Sequence, residues 1–201
     1  MKLNAEKITA ISSALLVFGY TYMLGSLFVG GDQEHYRAVY DVSSQNSIEK
    51  SYFYYRSRIQ SDEVGHFLLT WVASQFLEKD LFNALANSIL AFFSVRIFTK
   101  WGAHPLMAFV ISLFSYYHLA MYLSAERLKF ATIFFVIGAF YFSRSRFSYW
   151  FFLMSVVTHL QYVLMLMLFF FNKFFTSMRS AVLSLKVKYS DVSWFLLFTL
   201  F

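Results

Sequence analysis

The sequence predicts an all-α fold, a polytopic transmembrane helix bundle with about five to seven hydrophobic segments and one long extracytoplasmic loop. Three observations predict it. Of 201 residues, 59% are hydrophobic and only 14% charged, against about 25% charged in an ordinary soluble domain. A soluble protein of this size would expose that apolar surface and aggregate, whereas a bilayer accepts it. Gly is scarce and Pro105 is the single proline, so long helices run unbroken. Few stretches alternate apolar and polar residues, which argues against a membrane β-barrel.

The first segment, residues 8–30, follows Lys2 and Lys7. It is longer than a signal-peptide core and is read as a retained signal anchor. Apolar runs then occupy 64–77, 81–98, 105–124, 128–142 and 147–171, and a last one starts at Val192. The 64–77 run is short for a span and contains His66 and Gln75, so it is expected to lie at the surface or re-enter. The 147–171 run is expected to dip in and return, bending near His159. With both irregular segments, ten of the 17 Lys and Arg fall on the inner side, as the positive-inside rule asks. If every segment crosses in turn, no bias remains.

The +6 net charge is explained by short basic loops at lipid head groups, and no nucleic acid is expected as a partner. The absence of cysteine excludes disulfides and thiol chemistry. No nucleotide-binding glycine loop and no zinc-ligand spacing of the five histidines occurs, so no cofactor and no metal are expected.

The polar stretch 31–63 carries six acids: Asp32, Glu34, Asp41, Glu49, Asp62 and Glu63. A loop of this length is functional or disordered. Residues 32–42 can form a helix with Asp32, Tyr36 and Tyr40 on one face and Arg37 paired to Asp41. The aromatic run 52–58 suits a membrane interface. Polar residues beside apolar runs are functional candidates. Arg127 opens a helix and is either a snorkelling cation or a two-pronged phosphate clamp. His159 is either bonded to a backbone carbonyl or a donor or proton carrier to substrate. Asp32 and Glu63 bracket the loop and are placed to accept a hydroxyl proton. Arg96 and Lys100 mark a cytoplasmic helix end, and Tyr116, Tyr117 and His118 are read as helix packing.

The order of these features resembles the EpsG family of Wzy-type polysaccharide polymerases over about residues 30–167. The family's G-D-x-x-x-Y element is matched by Gly31, Asp32 and Tyr36. Its R-x-x-x-A helix start is matched by Arg127 and Ala131. Its late-helix histidine is matched by His159, with Thr158 in place of a phenylalanine and Gln161 in place of a small residue. The resemblance implies polymerisation of undecaprenyl-pyrophosphate-linked oligosaccharide units into a surface polysaccharide, such as O-antigen or capsule. It implies a multi-pass protein of the bacterial inner membrane, with a flippase and a chain-length regulator as partners besides membrane lipid. Arg127 would hold the departing pyrophosphate, with His159 binding phosphate or supporting it. Asp32 or Glu63 would take the acceptor proton, and Tyr36, Tyr40, Tyr52, Tyr54 and Tyr55 would stack on sugars. Family members are longer, so residues 1–201 are expected to be one membrane domain, the N-terminal part of a longer polymerase. The alternatives are a membrane O-acyltransferase or a transporter acting on surface polysaccharide, or an inactive remnant. One Pro, few Gly and no internal repeat count against a transporter.

The charge pattern places 31–63 outside the cell. In this cysteine-free chain, a Ser44→Cys variant in intact cells should label with an impermeant thiol reagent and Ser145→Cys should not. The opposite pattern reverses the topology.

Overall fold

The computed structural model describes residues 5–143 and 145–188, with side chains described up to residue 180. Among the described residues the chain is all helical, with ten helices and no strand. It forms two compact units, Met1–Tyr162 and Val163–Phe201. The run beginning at Val192, and Arg144, lie outside the described residues.

In the first unit, α1 (Ala5–Gly25) and α5 (Lys79–Lys100) are long and apolar enough to cross a membrane. Helices α6 (Pro105–Phe114) and α7 (Tyr116–Leu123) make a third candidate if taken as one span bent by 50°. The bend has a local cause. Ser115 is extended, and its hydroxyl accepts from the His118 amide, which starts a new helix. Helices α8 (Glu126–Tyr141) and α9 (Ser148–Thr158) have 16 and 11 residues, fewer than the roughly 20 a lone span needs. Among the described residues two or three helices therefore meet the length criterion, against the five to seven segments expected of the whole chain.

The stretch read as one long loop is mostly helical. It contains α2 (Asp32–Gln45) and α3 (Ile48–Ile59). Gly31 begins α2 at φ +64, a conformation glycine reaches without strain. Arg37 does not pair with Asp41. It reaches Asp80 on α5 at 2.5 Å and the Gly25 carbonyl at 2.6 Å, because a partner on another helix also satisfies the end of α1.

The long helices are tied at both ends. At one end Glu6 of α1 meets Arg96 of α5 at 2.7 Å, and the Lys100 ammonium donates to the Phe140 carbonyl of α8 at 2.6 Å. A cation on the last carbonyls offsets the helix dipole. At the other end lie the Arg37–Asp80–Gly25 contacts and an ion pair from Lys79 to Glu126 of α8 at 2.5 Å. Between them, small residues bring backbones together. Ser13 and Ser112 share a hydrogen bond of 2.5 Å, His118 bonds Ser94 at 3.1 Å, and the Tyr122 hydroxyl donates to the Ser112 carbonyl at 2.9 Å. Such bonds join helices where the surroundings offer no water. Of the aromatic trio on α7 only His118 packs inward; Tyr116 and Tyr117 are exposed.

Helix α4 (Val64–Ser74) has 11 residues. The segment 63–79 leaves from and returns to the start of α8. Glu63 bonds Arg127, and Lys79 bonds the adjacent Glu126. Near its far end, Gln75 donates to the Ser43 carbonyl at 2.8 Å, and Leu77 accepts from Tyr40 at 2.9 Å. Both ends thus sit at one level beside α2. Gly65 lies so close to α9 that a Cβ there would be 2.8 Å from the Thr158 amide nitrogen and the Val157 carbonyl. The second unit is described as the helix α10 (Tyr162–Lys188), whose Val163, Leu166, Met167, Phe170, Phe171 and Phe174 line one apolar hollow.

Gly65→Ala should lower stability by about 1–3 kcal/mol, because the methyl meets backbone that cannot rotate away. Thermal unfolding in detergent reads this. A melting temperature equal to wild type would show that α4 and α9 are not in this contact.

Candidate functional site

Four residues from distant parts of the chain meet at the end of the bundle where α8 begins. Arg127, in the first turn of α8, donates from Nη1 to Glu63 Oε2 at 3.0 Å and from Nε to the Tyr36 hydroxyl at 3.1 Å. His159 Nδ1 bonds the other Glu63 oxygen, Oε1. Glu63 precedes α4, Tyr36 lies one turn into α2, and His159 ends α9 with φ −155 and ψ 112. The long 147–171 run is therefore broken at His159, and α10 starts three residues later. The break, and not a mid-helix position, turns the imidazole toward Glu63.

A carboxylate only accepts, so Nδ1 carries the proton and Nε2 forms the outer edge of the ring. The Gln161 side-chain amide lies 3.2 Å from Nε2, and with its O and N exchanged its NH2 donates to the unprotonated Nε2. The Glu63 and His159 side chains are 15% and 14% exposed and Arg127 is 30% exposed, so the cluster is reachable from outside. Burial raises the Glu63 carboxyl, but bonds and charges from His159 and Arg127 outweigh it and hold it below the ordinary carboxylate range. Both Glu63 oxygens are occupied. It is thereby better suited to orient Arg127 and His159 than to take a proton.

Asp32 is exposed at the start of α2 and its side chain makes no hydrogen bond among the described residues, although its charge acts on Tyr36. Of the tyrosines expected to stack on sugars, only Tyr36 joins the cluster, and it does so through its hydroxyl, its ring being buried. Tyr40 is buried, with its hydroxyl on the Leu77 carbonyl. Tyr55 is fully buried and bonds His66 Nδ1 at 3.1 Å. Tyr52 packs on Tyr55 and Phe67, and both Tyr52 and Tyr54 are half-buried. Neither Tyr40 nor Tyr55 offers a free ring face; they hold α2 and α3 against α4 and α5.

Directly beneath lies a buried charge cluster that residue-by-residue reading of the sequence misses. Glu126 takes Lys79 at 2.5 Å and has His66 Nε2 at 3.6 Å. Lys129, also fully buried, donates to Asn83 at 3.2 Å. The signal was present: Glu126 and Lys129 flank Arg127 at the head of an apolar helix, and charges there need partners.

No protein-family model, curated protein or solved structure matches this chain. Among the described residues no group of three or more His, Asp and Glu is arranged to hold a metal ion. The donors point to anion chemistry. Arg127 keeps Nη2 for a ligand among the described residues, the helix start adds partial positive charge, and His159 Nε2 can give or accept a proton.

Because the folded Glu63 carboxyl is held low, its contribution to stability is complete above the ordinary carboxylate range and is lost as pH falls through the lowered value. The melting temperature of wild type should therefore exceed that of Glu63→Gln at neutral pH, with the gap closing at acid pH. A gap unchanged by acid would show that the ionised Glu63 is not what binds Arg127 and His159.

Proposed function

We propose that this chain belongs to a Wzy-type polymerase of the bacterial inner membrane, joining undecaprenyl-pyrophosphate-linked oligosaccharide units on the outer face. The observation that carries the reading is the convergence of Tyr36, Glu63, Arg127 and His159 on one partly open cluster at the end of apolar helices. Tyr36, Arg127 and His159 are among the residues on which the resemblance to that family turns.

The reaction breaks the bond between the anomeric carbon and the pyrophosphate oxygen and forms one to the acceptor hydroxyl. The electron pair leaves with the pyrophosphate. Arg127 stabilises that developing charge through its planar fork, helped by the start of α8. The acceptor proton goes to His159 Nε2 or to the open carboxylate of Asp32. Glu63 keeps Arg127 and His159 in register, and Tyr36 presents its hydroxyl beside the clamp. A multi-pass arrangement is part of this reading. Both ends of α8 are bonded to the two ends of α5, which supports α8 crossing beside it, and His159 ends α9 at the same end of the bundle as Arg127.

A histidine held at Nδ1 by a carboxylate, with Nε2 outward, is also how a general base is presented to a hydroxyl. That observation favours membrane O-acyl transfer to a sugar as the second reading. It predicts dependence on an acyl donor and unchanged polymer length.

Arg127→Ala should abolish long polymer on a gel of surface polysaccharide from a complemented deletion strain, while single-unit product persists. The lost charge-assisted bond is worth about 1.5–3 kcal/mol, or roughly 10- to 150-fold in rate. Arg127→Lys should be impaired as well, and Lys50→Ala, at an exposed position, should not. A normal ladder from Arg127→Ala at normal protein level removes the proposal.

A further inference from the structure

The residues flanking the anion cluster are linked in a closed ring. Tyr36 and Arg37 are neighbours on α2, Lys79 and Asp80 open α5, and Glu126 and Arg127 open α8. Each pair is joined to the next by a side-chain contact. Arg37 Nη2 meets Asp80 Oδ1 at 2.5 Å, Lys79 Nζ meets Glu126 Oε1 at 2.5 Å, and Arg127 Nε meets the Tyr36 hydroxyl at 3.1 Å. The part-exposed Arg127 and the buried Tyr36 that bonds it thus each have a chain neighbour anchored on the same dipeptide.

We propose that Lys79–Asp80 is a positioning hub, setting the Arg127 guanidinium and the Tyr36 hydroxyl at one spacing to receive an anion. Adjacent helical residues share a backbone and point about 100° apart. An ion pair that fixes Glu126 therefore fixes the direction of Arg127, and one that fixes Arg37 fixes Tyr36. The hub is itself immobile. Lys79 is 6% exposed and its ammonium lies 5.8 Å from the Tyr36 ring centre and 5.2 Å from that of Tyr40. Asp80 is pressed against the end of α1, where a Cβ on Gly25 would come within 2.9 Å of its Oδ1. Arg37 binds the Gly25 carbonyl as well. Three helix ends are thereby locked to α5 at the level of the cluster. Removing the hub leaves every residue of the cluster in place chemically but frees their spacing, and loose spacing weakens a site that depends on preorganisation.

The functional consequence rests on reading Arg127 as an anion clamp; the ring does not. The test therefore has two readouts on purified full-length protein in nanodiscs. The first is the ¹⁹F resonance of 3-fluorotyrosine placed at position 36, which senses the Arg127 contact without any ligand. The second is binding of inorganic pyrophosphate by calorimetry. Two hub variants are used. Asp80→Asn removes one link. The double variant Lys79→Met/Glu126→Gln removes the other together with both of its charges; buried Lys129 keeps its bond to Asn83, and a melting temperature confirms that the variant folds. If Asp80→Asn does not fold, the double variant decides.

Arg127→Ala should shift the fluorine resonance, and each hub variant should shift or broaden it too, while Asp62→Asn in an exposed ion pair should not. Pyrophosphate should bind about tenfold more weakly to each hub variant. In an Arg127→Ala background the hub variants should cost nothing further, because the hub acts through that residue. Unchanged fluorine spectra in folded hub variants overturn the proposal, as does a full additional loss of binding in the Arg127→Ala background. If Arg127→Ala leaves pyrophosphate binding intact, the clamp reading fails and with it the functional half of the hub, while the fluorine spectra still decide the ring.

Discussion

A charge carried into an apolar interior must meet an opposite charge delivered by another element, or it costs several kcal/mol. This constraint shapes the first unit. Glu126 is fully buried and takes Lys79 from α5, with His66 of α4 alongside. Arg37 comes from α2 to Asp80, and Arg96 turns to Glu6 at the opposite end. None of these pairs is local in sequence. Each one names two helices that have to be neighbours and sets the height at which they meet. Nonpolar packing would let the helices slide; ion pairs between fixed positions do not.

The same rule separates structure from function at the head of α8. Glu126 points inward and is sealed, whereas Arg127, one residue on, remains 30% exposed. A sealed charge can only hold the fold. A part-exposed guanidinium beside a held imidazole can exchange its partner for a ligand. Glu63 mediates between the two states: 15% exposed, it is bound by Arg127 and His159 together and keeps the guanidinium and the imidazole side by side before an anion arrives. Gly65, two residues later, permits the approach of α4 to α9 on which the Glu63–His159 bond depends.

Helix positions were legible because apolar runs of helical length need no tertiary information. Arg127, Glu63, Tyr36 and His159 could be singled out one at a time, since polar residues beside apolar runs are costly and stand out. Their meeting could not be seen. Glu63 and Arg127 are 64 residues apart, and His159 is 96 from Glu63. The sequence also favoured Arg37 with Asp41, the local partner one turn away, and missed that Asp80 offered a drier and better bounded one. Tyr40 on its helix face and Tyr55 in its interfacial run read as aromatics free to stack on sugars, because burial by α4 and α5 leaves no periodic mark in a polar, tyrosine-rich stretch.

Composition and pattern alone determined that this chain is helical, apolar enough for a membrane, free of thiol chemistry and punctuated by a few expensive polar residues. Those properties follow from local terms: side-chain transfer energies and backbone hydrogen bonding. Only the tertiary structure decided that the 31–63 stretch is helical beyond residues 32–42 and docked, which groups hold the two ends of 64–77, and which charges seal the interior. Pairing is decided by which helices come within a few ångströms of each other, and no local property of Lys79 or Glu126 says that they will.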